Sequence, residues 1–323
     1  MNGGVEEMKK GLSIWLVALA SAAFLAGSAW AVTFINLATG TTGGMYYPVG
    51  AAMVKVWNEN ISDINANVQS TGGTVHNIQL MGNGEAEAGF MDHNYYSAYN
   101  GLGKWEGNPQ KYIRGVIPLY PEPVQLMVAP NSGIKTVYDL KGKKVSIGAV
   151  ASGTEVTARQ LLNLAGIDPD KDIKAENLGV GDTGRAFADR LIDAAIMMGA
   201  LGQAGVVEAT TLGVAYLIDI PDEVIKKAVS QYPYWFPFTI PAGTYKGQEE
   251  PIKTYAGPNI IAVHEKLPED LVYQMTKTLF EHKEDLVAVT PQMEHMVPEN
   301  VEQIVIPLHP GAERYYKEIG VLK

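Results

Sequence analysis

The chain contains no cysteine among its 323 residues. That excludes disulfides, thiolate metal sites, a cysteine nucleophile and a lipid anchor on an N-terminal cysteine. Positive charge is scarce as well: 25 Lys and Arg stand against 35 Asp and Glu, a net charge of −10. Glu6, Glu7, Lys9 and Lys10 cancel, so removing residues 1–31 leaves that balance unchanged. An acidic chain without a basic stripe is a poor partner for nucleic acid. The common catalytic signatures are missing. There is no Walker A pattern, no G-x-S-x-G elbow and no H-E-x-x-H, and Gly40-x-x-Gly43-Gly44 does not match the dinucleotide fingerprint. The six histidines, at 76, 93, 264, 282, 295 and 309, lack zinc-like spacing. No repeat array or low-complexity tract occurs. The donors that remain are backbone amides, hydroxyls, Tyr, Asn and Gln. They suit holding a ligand better than transforming one, and they call for no cofactor.

What is present is a soluble composition, 46% hydrophobic and 19% charged, long enough for one large domain or two ordinary ones. The first residues read as an export signal. Lys9-Lys10 is the basic region, Leu12 to Ala26 the apolar region, and Ser28-Ala29-Trp30-Ala31 the small-x-small cleavage pattern. Cleavage after Ala31 gives a mature start at Val32, with Met8 an alternative to Met1 as the first residue. An uncleaved anchor is the other reading, although the apolar region is short for a span of about 20 residues. The expected location is periplasmic or otherwise extracytoplasmic.

The mature chain is organised around Thr39-Gly40-Thr41-Thr42-Gly43-Gly44-Met45-Tyr46-Tyr47. This loop follows a strand-like run, Val32 to Leu37, and opens an amphipathic helix, Met45 to Asn58. Free amides at a helix start receive anions. Thr39, Thr41 and Thr42 add hydroxyls, and Tyr46 and Tyr47 add flat walls with polar tips. The alternative is an ordinary glycine turn. The pattern recurs at Asn65 to Gln69, followed by Ser70-Thr71-Gly72-Gly73-Thr74 and a helix from Val75. A third buried strand, Ala88 to Met91, ends in Asp92-His93-Asn94. In an open α/β sheet, ligands sit beyond the carboxyl ends of strands.

Later segments repeat this alternation. Ser152-Gly153-Thr154 caps a helix through Ala165, after the strand Val145 to Gly148. Gly179-Val180-Gly181-Asp182-Thr183 follows the strand Ile173 to Leu178. Gly199 follows the buried strand Asp193 to Met198. Tyr120-Pro121-Glu122-Pro123 reads as a crossing between lobes. Tyr232 to Tyr245, rich in aromatics and proline, either lines a cleft or fills a gap. Ile252 to Val263 reads as a strand returning to the first lobe. Asp92-His93 is a candidate acid–base or metal pair, with a hydrogen-bonded structural pair as the alternative. Arg114 offers a fixed charge or a structural one.

Several motifs in register resemble the TAXI-type solute receptors, the TRAP-associated extracytoplasmic immunogenic family. They are Gly40-Thr41-Thr42-Gly43-Gly44-Met45-Tyr46-Tyr47-Pro48, Thr71-Gly72-Gly73-Thr74-Val75-His76-Asn77, Tyr96-Ser97-Ala98-Tyr99-Asn100-Gly101 and Leu119-Tyr120-Pro121-Glu122. In the second half they are Asp139 to Val145, Gly153-Thr154-Glu155, Asp193-Ala194-Ala195 and Ile240 to Tyr245. The resemblance covers about residues 32–290. It implies an α/β, two-lobed type II periplasmic binding protein fold with a central ligand cleft. It also implies delivery of glutamate, glutamine or a related C5 dicarboxylate to a TRAP-type permease, and the chain is expected to be a monomer. Residues 32–122 and 253–323 would form lobe 1, and 123–252 lobe 2. The ligand-binding set would be Thr39, Gly40, Thr42, Gly43, Gly44, Tyr46, Tyr47, Thr71, Gly72, Gly73, Thr74, Asn77, Met91, Asp92, His93, Tyr96, Ser152, Gly153, Thr154, Gly179, Asp182 and Gly199. One departure bears on specificity. Where the family has Gln-Ser-Asp, this chain has Met91-Asp92-His93. Two other functions fit the same residues: an exported enzyme using Asp92 and His93, and a sensory subunit for a receptor kinase.

Overall fold

The apolar runs of the sequence become the central strands of two sheets. The computed structural model describes residues 32–323, and residues 34–323 form one unit. The expected leader and its cleavage after Ala31 lie outside the described residues. The first sheet runs in the order β2 (Ile64–Gln69), β1 (Thr33–Ala38), β3 (Ala88–Asp92), β12 (Asn259–His264), β4 (Ile113–Pro118). The second runs β10 (Phe236–Ile240), β11 (Ile252–Gly257), β5 (Glu122–Val128), β8 (Ala194–Met198), β6 (Lys144–Ser146), β7 (Lys174–Glu176), with β9 (Tyr216–Ile218) also pairing with β5. β3, β5 and β8 are buried at every position. A strand covered on both faces needs such an uninterrupted apolar run.

The helices, in chain order, are α1 (Tyr46–Asn60), α2 (Thr74–Asn83), α3 (Asn94–Asn100), α4 (Gly153–Leu164), α5 (Val180–Ala188), α6 (Ala204–Thr211), α7 (Asp222–Gln231), α8 (Glu269–Glu281), α9 (Lys283–Val287) and α10 (Pro310–Glu318). α1 buries Val49, Met53, Val56 and Trp57, a stripe at helical spacing. The Trp57 indole donates to the Met275 carbonyl at 3.0 Å, which fixes α1 against α8. Each sheet has its own core. Ile35, Leu37, Trp57, Phe90 and Met275 belong to the first. The second sheet is covered on both sides: Leu126 and Ile196 pack with Leu161, while Met127 and Ala195 pack with Phe187 and Val206. Alternation along β5 and β8 sends successive side chains to opposite faces.

The chain crosses between the sheets twice. β4 leads through Leu119, Tyr120 and Pro121 to β5, and β11 leads through Pro258 to β12. The Leu119 N–H donates to the Asn259 carbonyl at 2.8 Å, so the two crossings are bonded to each other. The return, expected at residue 253, falls instead at Pro258, because β11 pairs with β10 and β5 in the second sheet. Two further differences concern local structure. The aromatic segment supplies β10, antiparallel to β11. Asn94, expected in a polar loop after the third strand, instead begins helix α3.

The loops after β1 and β2 and the middle of β3 are joined by one side chain. Asn77 on α2 is fully buried. Its Nδ2 donates to the Thr39 carbonyl at 2.7 Å and the Phe90 carbonyl at 2.8 Å. Its Oδ1 accepts from Thr71 Oγ1 at 2.6 Å. Replacing Asn77→Ala removes these bonds and leaves buried acceptors unpaired. A loss of about 2–4 kcal/mol in urea unfolding is expected; a loss under about 0.5 kcal/mol would show that the loops hold themselves.

Candidate functional site

A cleft opens where the strand ends of both lobes face each other. Gly40, Thr41, Gly44, Met45 and Tyr46 line it after β1, and Gly72, Gly73 and Thr74 after β2. Asp92 enters at the end of β3 and Glu122 at the crossing into β5. The second lobe supplies Gly148, Ala149, Ser152, Gly153 and Thr154 at the start of α4, and Leu178 and Val180 at the start of α5. Met197, Met198, Gly199, Ala200 and Gln203 follow, from the end of β8 to the start of α6. The cavity volume is about 70 Å³, room for several waters or one small solute.

Five helix starts converge here. Tyr46 begins α1, Thr74 begins α2, Gly153 begins α4, Val180 begins α5, and Gln203 precedes α6. Ser152 caps α4, its Oγ accepting from the Glu155 N–H at 3.0 Å. The N–H groups of Gly153 and Thr154 precede the first intrahelical bond and carry the positive end of the helix dipole. Gly73 has φ +112°, a conformation open to glycine at little cost.

The two lobes meet backbone to backbone. The His76 N–H donates to the Ala151 carbonyl at 3.2 Å. A β-carbon added at Gly43 would stand 2.7 Å from Gly181 Cα, and one at Gly72 would stand 3.0 Å from the Val150 carbonyl oxygen. One at Gly153 would collide with Asp92 Oδ2. Glycine at these points lets the cleft shut.

The cleft lining contains two acidic side chains. Asp92 is 4% and Glu122 3% exposed. Asp92 Oδ1 accepts from the Asn94 N–H and from Asn94 Nδ2, both at 2.9 Å. Glu122 Oε2 accepts from the Tyr46 hydroxyl at 3.0 Å, and Oε1 from Asn259 Nδ2 at 3.3 Å. Burial raises the Asp92 carboxyl, against the hydrogen bonds from Asn94. Burial and the neighbouring Asp92 hold the Glu122 carboxyl well above its ordinary range. Among the described residues, no Lys or Arg lines the cleft.

Of the residues expected from sequence, Gly40, Gly44, Tyr46, Gly72, Gly73, Thr74, Asp92, Ser152, Gly153, Thr154 and Gly199 line the cleft. The others do different work. Thr39, Thr71 and Asn77 are bonded to one another beneath the loops. Gly43 touches Gly181 across the seam. Gly179 precedes α5, and Asp182 is exposed in that helix's first turn. Thr42 and Tyr47 lie off the lining, and Met91 is buried in the first core. Tyr96 turns away from the cleft, its ring centroid 5.6 Å from that of Tyr234.

His93 is the clearest correction. It follows a cleft residue but is 0% exposed, and its ring lies 3.9 Å from Trp235 and 4.7 Å from Tyr234. Neither ring nitrogen has a partner, and burial pushes the imidazole well below its ordinary pKa. The acid–base pair with Asp92 is therefore not assembled. The aromatic segment fills the gap behind β3 and does not line the cleft. Arg114 pairs with Glu265 on the first sheet, outside the cleft lining. Sequence reasoning missed Glu122, named only within a crossing motif, and Gln203.

The chain is similar to known proteins in two ways. Residues 37–320 match the profile described as the NMT1-like family. Among solved structures, one from Bordetella bronchiseptica RB50 is 15% identical, with 89% of this chain and 81% of that chain covered and a TM-score of 0.52. One from Streptococcus mutans, reported for glutathione import via GshT and the cystine ABC importer TcyBC, is 13% identical, with 81% and 94% covered and a TM-score of 0.51. The periplasmic aliphatic sulphonate binding protein SsuA of Escherichia coli is 14% identical, with 88% and 78% covered and a TM-score of 0.44. The sheet order and the first two likenesses establish the fold, a two-lobed type II periplasmic binding protein.

The raised Glu122 carboxyl has a measurable consequence. The folded protein keeps a proton that the unfolded chain has released. Stability is therefore full below the ordinary glutamate pKa and falls as pH rises through the raised value. Glu122→Gln removes that dependence. Its melting temperature should match the wild type near about pH 4 and exceed it near about pH 8, by about 2–4 °C per kcal/mol relieved. An unchanged difference across that range would contradict the assignment.

Proposed function

We propose that this chain, which belongs to the NMT1-like family, is an extracytoplasmic solute-binding receptor of the TAXI type. On this reading it captures a small carboxylate-bearing solute and delivers it to a TRAP-type permease in the membrane. The observation that carries the reading is the convergence of helix starts on one closed interlobe cleft. The motifs that resemble the TAXI receptors supply loops on both sides of that cleft. The partner permease and the subfamily rest on that resemblance.

A carboxylate would sit at the N-termini of α4 and α2, held by backbone N–H groups with Ser152, Thr154 and Thr74 beside it. Met45, Met197, Met198 and Leu178 would cover its carbon skeleton. The solute bridges the lobes, so it binds the closed form more tightly than an open one, and that difference drives closure. The permease would then read the closed shape.

Two outcomes test this. Native protein, denatured after gentle purification, should release one small solute detectable by mass spectrometry, in a ratio approaching one per chain. Repeated preparations that release none, with no thermal shift from glutamate, glutamine, 2-oxoglutarate or small dicarboxylates, would sink the ligand class. Gly43→Ala should fold normally, because Gly43 has no positive φ and lies on the seam. Its affinity for the released solute should fall by about tenfold or more, because closure meets the Gly181 backbone. Unchanged affinity would show that binding does not need the closed lobes.

A further inference from the structure

The start of the aromatic segment lines a second depression, separate from the cleft. One wall comes from the first lobe: Tyr96 and Ser97 on α3, then Leu102 and Lys104 beyond it. The other comes from the second lobe: Val156, Arg159, Gln160 and Asn163 on α4, with Tyr232 and Tyr234 after α7. The α4 residues recur at helical spacing. One flank of that helix therefore faces the depression while its N-terminus faces the cleft. The depression holds about 720 Å³, within the roughly 300–1,000 Å³ usual for small-molecule sites.

Three of its features are left over by the fold. Tyr96, Tyr234 and Tyr232 stand in a row across the lobes, neighbouring centroids 5.6 Å apart and rings tilted by 57° and 31°. Tyr96 and Tyr232 are only half-buried and Leu102 is exposed, so apolar area remains open there. Gln160 Nε2 donates to the Tyr234 hydroxyl at 3.3 Å, but its Oε1 is withdrawn from solvent and accepts from no group. A buried acceptor in that state is costly. Lys104 is paired with no acid among the described residues, its Nζ lying 5.7 Å from the Trp105 ring centroid.

We propose that this depression is a second binding site, for a planar aromatic carboxylate whose ring carries a hydrogen-bond donor. The ring lies against Tyr96, Tyr232 and Leu102, the donor meets Gln160 Oε1, and the carboxylate pairs with Lys104. The ligand touches both lobes and holds the flank of α4 against α3. The inference goes beyond solute capture in the cleft and does not rest on it.

The chemistry of the lining selects this class. Aromatic rings gain from offset or edge contacts with other rings, beyond the area they bury. A cationic ligand has no acid to use. Glu155 is the one carboxylate in the lining, and it already accepts from the Ala151 N–H at 2.9 Å and pairs with Arg159 at 3.5 Å. Arg159 is shared in turn with Asp170 at 2.8 Å. The charge left for a ligand is that of Lys104. An exposed ion pair is weak, so ring burial supplies most of the affinity and Lys104 the preference for an acid.

The test is calorimetry on the mature chain with 4-hydroxyphenylacetate and indole-3-acetate. Phenylacetate lacks the donor, cyclohexylacetate lacks the aromatic face as well, and tyramine reverses the charge. The first two should bind one per chain with Kd below about 1 mM. Phenylacetate and tyramine should bind about 3–10-fold more weakly, and cyclohexylacetate about tenfold or more. Tyr232→Ala and Gln160→Leu should each weaken 4-hydroxyphenylacetate by about 3–10-fold. Lys104→Gln, an exposed change that leaves the fold intact, should narrow its advantage over tyramine. Thr154→Val, inside the cleft, should leave its affinity unchanged.

No saturable heat from either acid up to about 10 mM would overturn the proposal. So would tyramine binding as tightly as 4-hydroxyphenylacetate, or affinity lost in Thr154→Val and kept in the three groove variants. Each of these leaves the receptor reading standing. A chain that releases no native solute, yet binds the aromatic acids as described, loses the receptor reading and keeps this site.

Discussion

The buried side chain of Asn77 bonds the end of β1, the middle of β3 and the loop after β2, with donor and acceptor both in use. Everything on the first-lobe side of the cleft hangs from that junction. Thr39 and Gly40 are bonded to Gln69 and Thr71 beside it, so the glycine loops cannot drift independently. Helices α1 and α2 then start at fixed positions and present their N-termini to one point. The second lobe answers with α4, α5 and α6. Glycine contacts at Gly43, Gly72 and Gly153 set how near the two halves come.

Within that frame the electrostatics are unusual in a definite sense. The cleft receives positive potential from helix termini, without a guanidinium or ammonium side chain among the described lining residues. Its formal charge is acidic, from Asp92 and Glu122. Glu122 sits where the two interlobe crossings meet, pairing with Gly257 and bonded to Asn259 and Tyr46. The carboxyl that burial holds in its protonated form is thus placed at the crossing between the two sheets.

Much of this is legible in the sequence, for physical reasons that can be named. β3 and β8 are short apolar runs, and buried strands have no other way to look. Glycine-rich loops after apolar runs signal strand ends, and Ser152 is readable as a cap. Direction is what the sequence hides. Asp92 and His93 are neighbours, yet adjacent residues at a strand end point to opposite sides. One reaches the cleft and the other the aromatic cluster of Tyr234 and Trp235. Glu122, flanked by Pro121 and Pro123, reads only as part of a crossing between lobes until β11 and β12 return beside it from residues far along the chain. Gln203 carries no local signal at all; only the fold aims it inward. Thr39, Thr71 and Asn77 pass for ligand contacts because the same polar residues that grip a solute also grip a loop.

Closure of the lobes around a solute is the step on which the proposed function depends. Because the chain has no cysteine, Lys55→Cys on α1 and Lys171→Cys in the second lobe would carry two spin labels and no others. The distance distribution between them, measured with and without the solute released from native protein, is the direct test. Two populations are expected in the empty protein, the closed one and a longer one, that collapse to the shorter distance on binding. A single distance, unchanged at saturating solute, would contradict it.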